Sequence, residues 1–270
     1  MEILNPNATR GRFTHALFDF DGTISLIREG WQNIMAPMFT DILADLKTGE
    51  SKDDLSQVVR EWMMRLTGKQ TIYQMLELCE QIRLRGGTPM DPLHYKFEYL
   101  SRLERRIEGR IAELESGRTP AERWLVPGVV EFLQGLKSRG VILHLASGTD
   151  VQFVRREAKL LGVADLFEGR ISGAVDDYKA FSKRIVLDRI LSENKLKSEE
   201  LVSVGDGYVE IENAKQVGAY ALGVASLEAA PGEMDIWKRD RLTLAGADAI
   251  IPHFAQHGAI LEFLFPKANG

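Results

Sequence analysis

Asp19 and Asp21 stand two residues apart at the end of a short apolar run, 14–20, that reads as a strand. On an extended chain, residues two apart point to the same side. Two carboxylates placed so repel each other unless a cation or a shared proton relieves them. The pair suits a hard cation such as Mg²⁺, which prefers oxygen ligands. It also suits nucleophile and acid–base roles at one centre. Taken alone, Asp21-Gly22 is equally well read as a turn that ends a strand. A second apolar run ends in Ser147-Gly148-Thr149-Asp150, and a helical pattern follows. Hydroxyls and backbone N–H groups at a helix start can hold an anion, although helix capping accounts for the same residue types. A further run ends in Gly205-Asp206-Gly207, with Glu210 four residues beyond Asp206. Lys183 opens the helix before that run, where the helix dipole favours an acid instead.

These groups need elements to position them. Short apolar stretches at 141–146, 170–174, 201–204, 219–224 and 249–251 are bounded by Gly, Asp or Ser. Helical patterns lie between and after them at 129–139, 151–161, 183–193, 211–217 and 256–264. Strands alternating with helices predict βα units around a parallel sheet, and in such sheets ligands gather at the carboxyl ends of the strands. The stretch 26–124 has a different texture. Its apolar residues recur at helical spacing, as in Leu55, Val58, Val59, Trp62, Met63 and Leu66. Breakers fall at Gly49, Gly68, Gly86-Gly87-Thr88-Pro89 and Gly117. The simplest organisation is an α/β core, 12–26 and 125–266, interrupted by an all-helical insertion, 27–124.

The chain has 270 residues, enough for a core without disulfides. A 44% apolar and 27% charged composition is that of a soluble globular protein. The net charge of −5 argues against a protein that coats nucleic acid. Cys79 is alone, so neither an intramolecular disulfide nor a Cys-based zinc site is expected. No apolar run suffices to span a bilayer, and no signal peptide is visible. A cytoplasmic protein with no membrane partner is expected.

Asp19-Phe20-Asp21-Gly22-Thr23, Ser147-Gly148-Thr149, Lys183 and Gly205-Asp206-Gly207-Tyr208-Val209-Glu210, in that order, resemble the four motifs of the haloacid dehalogenase-like (HAD) hydrolase superfamily. The resemblance implies a Rossmann-like core with strand order 5-4-1-2-3, the helical insertion serving as a cap. It implies Asp19 as nucleophile and Asp21 as the acid and base that serves the leaving group and then water. Ser147 and the backbone of Gly148 would hold phosphoryl oxygens, and Lys183 would neutralise charge beside Asp19. Asp206, Asp19 and the main-chain carbonyl of Asp21 would hold Mg²⁺, with Glu210 helping directly or through a water. Many members have Asp where Glu210 stands. Lys179 is the alternative to Lys183 as the third-motif lysine.

An acid at Asp21 favours phosphate esters over halide or phosphonate substrates. The reading is Mg²⁺-dependent hydrolysis of a small phosphorylated metabolite, a sugar phosphate being the common family case. A β-phosphoglucomutase-like mutase and a non-catalytic phosphate-ligand-binding protein are the alternatives. A mutase needs extra cations in the cap, for which Arg83, Arg85, Lys96, Arg102, Arg105, Arg106 and Arg110 are available. The glycines in 85–90 make that segment the expected specificity loop over Asp19. His144 reads as a packing residue, Asp176-Asp177 as a turn, and Trp31 as near enough to the first motif to border the cleft.

Overall fold

A computed structural model describes residues 1–175 and 177–266; Asp176, half of the expected turn, lies outside them. Seven strands form one sheet: β1 (Glu2–Ile3), β2 (His15–Phe18), β3 (Ile142–Asp150), β4 (Ile171–Ala174), β5 (Leu201–Gly205), β6 (Tyr220–Val224) and β7 (Ala249–Ile251). Their order is β1-β7-β6-β5-β2-β3-β4. The five strands β6-β5-β2-β3-β4 are the expected 5-4-1-2-3, all parallel. β7 extends the sheet beyond them, and the two-residue β1 closes that edge antiparallel. Nothing in two residues of sequence signals β1, which exists because β7 offers it an edge.

Four helices fill the interval after β2: α1 (Gln32–Ala44), α2 (Lys52–Leu66), α3 (Thr71–Leu84) and α4 (Pro92–Glu115). Ser51 caps α2 by accepting from the Asp54 N–H, and Asp91 caps α4, with Pro92 in the first turn. The core helices are α5 (Val129–Lys137), α6 (Val151–Leu160), α7 (Lys183–Glu193), α8 (Tyr208–Gln216), α9 (Ile236–Leu244) and α10 (His257–Leu264). Helix α9 was not expected from the sequence. Its buried side chains are only Lys238 and Leu242, and its ends Ile236 and Leu244 are exposed, so it carries a weak apolar stripe.

Strand β2 is buried throughout, as a central parallel strand must be. Ala16 and Phe18 join the apolar core on one face, and Leu17 joins the core on the other. Phe18 is in register with Leu145 of β3 and Val204 of β5. Just past that level the three chains carry Asp19, Ser147 and Asp206, which line one cavity. The chain leaves β2 in a tight turn, where the Phe20 carbonyl accepts from the N–H groups of Ile24 and Ser25. Gly22 has φ +76°, and a Cβ there would lie 2.2 Å from Asp206 Oδ2. Only glycine fits. The outgoing and returning chains then pair, Leu26 N–H to the Trp124 carbonyl and Val126 N–H to the Ile24 carbonyl. The helices α1–α4 hang from this two-stranded neck.

At the opposite end of the sheet, His15 and His144 stack with ring centroids 5.5 Å apart. Burial, with His15 and Arg170 adding to it, depresses His144 to about 4 and lowers His15 as well. Neutral rings are therefore favoured in the fold, while the unfolded chain takes up protons near pH 6.5. The stability these rings contribute is present above pH 6.5 and lost as pH falls from there toward 4. Urea midpoints measured from pH 7 to 4.5 should fall more steeply for the native protein than for His144→Leu.

Candidate active site

Asp19 continues the Leu17 face of β2, so it meets α7 and α8. Ser182 caps α7 by accepting from the Ile185 N–H, which places Lys183 in the first turn pointing at the strand end. Lys183 Nζ donates to Asp19 Oδ1 at 2.7 Å and also to Glu210 Oε1. All three residues are buried. Burial pushes the Asp19 carboxyl well above its usual range, with Lys183 pulling against it and Glu210 and Asp206 adding to the rise. Lys183 is held protonated, since two carboxylates outweigh the burial that would discharge it. Lys179 is exposed and lies over the Tyr178 ring.

Asp21 turns the other way. Its Oδ2 accepts from Ser147 Oγ at 3.1 Å and Thr149 Oγ1 at 2.8 Å. Ser147 Oγ in turn accepts from the Thr149 N–H. Capping of α6 is therefore not what these hydroxyls do, and Asp150 makes no side-chain cap either. Asp150 pairs with Lys96 of α4 at 2.6 Å. A Cβ on Gly148 would meet the Lys69 carbonyl at 3.0 Å, so the 67–70 loop between α2 and α3 rests against the Ser147-Gly148-Thr149 backbone.

The expected specificity segment lies elsewhere. Arg85 pairs with Glu50 at 2.7 Å, Gly86 faces open space, and Gly87 packs on Ile82 and Leu46. None of residues 85–90 lines the cavity beside Asp19. Thr67, Gly68 and Lys69 do. Gly68 has φ +94°, a left-handed conformation that favours glycine, and lies in ordinary contact with the Gly207 backbone.

Several site residues went unread in the sequence. Arg28, 5% exposed, grips Glu157 of α6 with Nη2–Oε1 at 2.6 Å, and its Nε lies 4.0 Å from Asp21 Oδ1. Lys238 of α9 joins Asp206 Oδ2 at 2.6 Å to Glu228 Oε1 at 2.7 Å. The signal for Glu157 was present: it shares a helix face with Val154, Ala158 and Leu161, all buried. Lys238 shares the stripe of Leu242 in the same way.

Asp19, Asp206 and the Asp21 carbonyl offer only oxygen donors, and buried Asp21 Oδ1 and Glu210 Oε2 lack partners. Such a donor set fits a hard cation that keeps several waters. Among the described residues no three His, Cys, Asp or Glu side chains form a ready-made metal group. Glu210 is committed to Lys183, and Asp206 to Lys238. A cation here would thus rest on few carboxylates and on main-chain oxygen and water.

The site opens into a cavity of about 830 Å³. Asp19, Asp21, Ser147, Lys183 and Asp206 line part of it, with residues of α1–α4 and their loops and, from the core, Leu227, Glu228, Trp237 and Lys238. Trp31 borders it.

A Rossmann-like α/β core with acids, hydroxyls and a lysine gathered at the carboxyl ends of its central strands defines a class of hydrolytic enzyme. A family model described as haloacid dehalogenase-like hydrolase matches residues 13–218. The chain belongs to the haloacid dehalogenase-like hydrolase family. Solved structures share the fold at low identity. A predicted phosphatase from Clostridium acetobutylicum is 18% identical, with TM-score 0.58 over 93% of this chain and 99% of that one. A haloacid dehalogenase-like family protein from Streptococcus pneumoniae is 17% identical, with TM-score 0.56 over 93% and 98%. A predicted phosphoglycolate phosphatase from Haemophilus somnus is 17% identical, with TM-score 0.54 over 92% and 98%. No sequence among curated proteins matches the chain significantly. Among the described residues, no helix is long and apolar enough to cross a membrane.

Removing Lys238 would leave Asp206 and Glu228 facing each other with no cation between them. Lys238→Met should cost about 3–5 kcal/mol in urea unfolding with chelator present. Lys238→Met with Glu228→Leu should recover part of that loss, because one uncompensated charge goes with it.

Proposed function

We propose that the protein is a Mg²⁺-dependent phosphatase that hydrolyses a small phosphomonoester through an aspartyl-phosphate on Asp19. The observation that carries this reading is the split pair: Asp19 held by Lys183, Asp21 held by hydroxyls, both at one end of one cavity. Identical residues in unlike surroundings suit unlike roles.

An Asp19 carboxylate oxygen attacks phosphorus in line, and the bond from phosphorus to the ester oxygen breaks. Asp21, once protonated, gives its proton to the departing alkoxide. Asp21 then takes a proton from water, whose oxygen attacks the aspartyl-phosphate and frees Asp19 and inorganic phosphate. Lys183 offsets the charge on Asp19 and on the phosphoryl oxygens. Glu210 keeps Lys183 aimed and protonated. Ser147 Oγ, which donates to Asp21 here, is placed to donate to a phosphoryl oxygen instead. A bound Mg²⁺ held by Asp19, Asp206 and the Asp21 carbonyl would supply Lewis-acid neutralisation of the phosphoryl charge.

The helices α1–α4, residues 27–124 with their loops, act as the cap, with hinges in the paired chains at Leu26 and Trp124–Val126. The loop at Thr67-Gly68-Lys69 takes the specificity role. The cations named for the mutase reading lie elsewhere, and it is the exposed Lys52, Arg60 and Lys69 that line the cavity. Arg83, Arg85 and Arg102 pair with Glu80, Glu50 and Glu98. Arg110 binds the Ile27 and Glu29 carbonyls over the Trp124 ring, and Lys96 is taken by Asp150. None of them, nor Arg105 or Arg106, lines the cavity. A reducing cytoplasm suits the lone, buried Cys79.

Phosphate release from p-nitrophenyl phosphate should stop with chelator and resume with Mg²⁺. Asp19→Asn should keep its unfolding temperature and lose more than about a thousandfold in kcat. Full turnover by Asp19→Asn would end this mechanism. An acid-labile phosphoenzyme trapped from the native protein, and missing from Asp19→Asn, would separate hydrolysis from mere phosphate binding.

A further inference from the structure

The cavity continues past the site into the interior of the helical insertion. Its walls there are Met35 of α1, Met63 of α2, and Tyr99, Leu100 and Leu103 of α4. Each of these residues is 9% exposed or less. Protein interiors are close-packed, and voids much larger than a water molecule are few. Water gains little in a space walled by methionine, leucine and a tyrosine ring, because it needs two to four polar partners. Four helices of this length could close on one another with larger side chains, and here they do not. The space is shaped for a guest that supplies apolar contacts.

One polar group breaks the wall. Gln74 of α3 lines the cavity and is 3% exposed. Its Nε2 donates to the Met63 carbonyl at 3.1 Å, which fixes the amide orientation. Its Oε1 is buried and has no partner. A buried acceptor left unpaired is costly, so a donor brought by the guest would relieve it. Pro37 of α1, also in the wall, has no N–H and cannot donate to the Asn33 carbonyl four residues back. The buried cations nearby are spent: Arg28 on Glu157 and Lys96 on Asp150. Lys52, Arg60 and Lys69 also line the cavity but are exposed, Lys52 paired with Asp41, so water and salt screen their hold on an anionic leaving group.

We infer that the substrate is the phosphomonoester of a bulky, mainly apolar alcohol that carries a hydroxyl or N–H donor for Gln74 Oε1. This rests on the phosphatase reading and narrows it. It moves the substrate away from small polar or carboxylate-bearing phosphates, the sugar phosphates among them. The phosphoryl group reacts at Asp19 while the alcohol lies between α1, α2 and α4. Hydrophobic discrimination adds up with each methylene that finds wall contact. The donor requirement adds a second, sharper selection, because a guest lacking it leaves Gln74 unsatisfied.

The test uses the full chain with Mg²⁺ and a series of ethyl, butyl, hexyl and octyl phosphates, their ω-hydroxy counterparts, and phosphoglycolate. The expected result is a rise in kcat/KM of at least about tenfold from ethyl to the best longer ester, with phosphoglycolate lowest. At one chain length the ω-hydroxy ester should outrun its methyl-ended twin, and Gln74→Met should erase that advantage. Thr40→Phe, which fills the cavity from α1, should raise KM for long esters more than for ethyl phosphate. Unfolding temperatures of both variants identify loss of fold, and the native series stands without them. A flat series, or phosphoglycolate as the best substrate, overturns this inference and leaves the phosphatase reading standing. No turnover of any ester, and none of p-nitrophenyl phosphate, overturns both.

Discussion

Burying carboxylates at the end of a parallel sheet is the constraint on which this structure turns. Asp19, Asp21, Asp206 and Glu210 converge because the neighbouring strands β2 and β5 run in register and the acids follow their carboxyl ends, and each acid would repel the others in a low dielectric. The fold answers with cations drawn from distant helices. Lys183 arrives on α7 for Asp19 and Glu210, Lys238 on α9 for Asp206, and Arg28 from the neck with Glu157 of α6 behind it. A buried charge pair adds little net stability over an apolar one, but breaking it is expensive. The site is thereby held in one arrangement, which suits chemistry that depends on positioning and charge.

The helical insertion is tied down at the same place. Tyr208 Oη donates to the Arg65 carbonyl at 2.9 Å, and Arg241 to the Met64 carbonyl at 2.6 Å. These are the last carbonyls of α2, which a helix leaves free for outside donors. Gln70 reaches across to the Phe181 carbonyl at 2.6 Å, just before Lys183. The insertion and the sheet edge that carries the acids therefore share hydrogen bonds through the residues that flank the site. The cavity wall and the Ser147-Gly148-Thr149 segment meet at the 67–70 loop.

The βα alternation made the parallel core readable, because each strand is a short apolar run ended by a polar turn. The four helices were readable from the helical spacing of apolar residues and from the breakers that fall between and after them. Local glycine content misled at 85–90: Gly86 and Gly87 follow the end of α3 and do not line the cavity, whereas the single Gly68 does. Glycine density says that a turn is present, not what the turn faces.

By itself the sequence determined the order of chemistry along the chain. The residues ending successive strands are set by strand spacing, and a buried parallel sheet puts all those ends on one side. Only the tertiary structure decided which charges meet. Lys183 and Asp19 are 164 residues apart, and Arg28 and Glu157 are 129 apart. Lys238, on a helix with a weak apolar stripe, gained its role when β6 brought α9 beside Asp206. Pairing across such separations depends on strand order and helix packing, which single-residue propensities do not encode. The cavity is likewise a product of how α1–α4 are held apart, a relation among helices that no one helix carries.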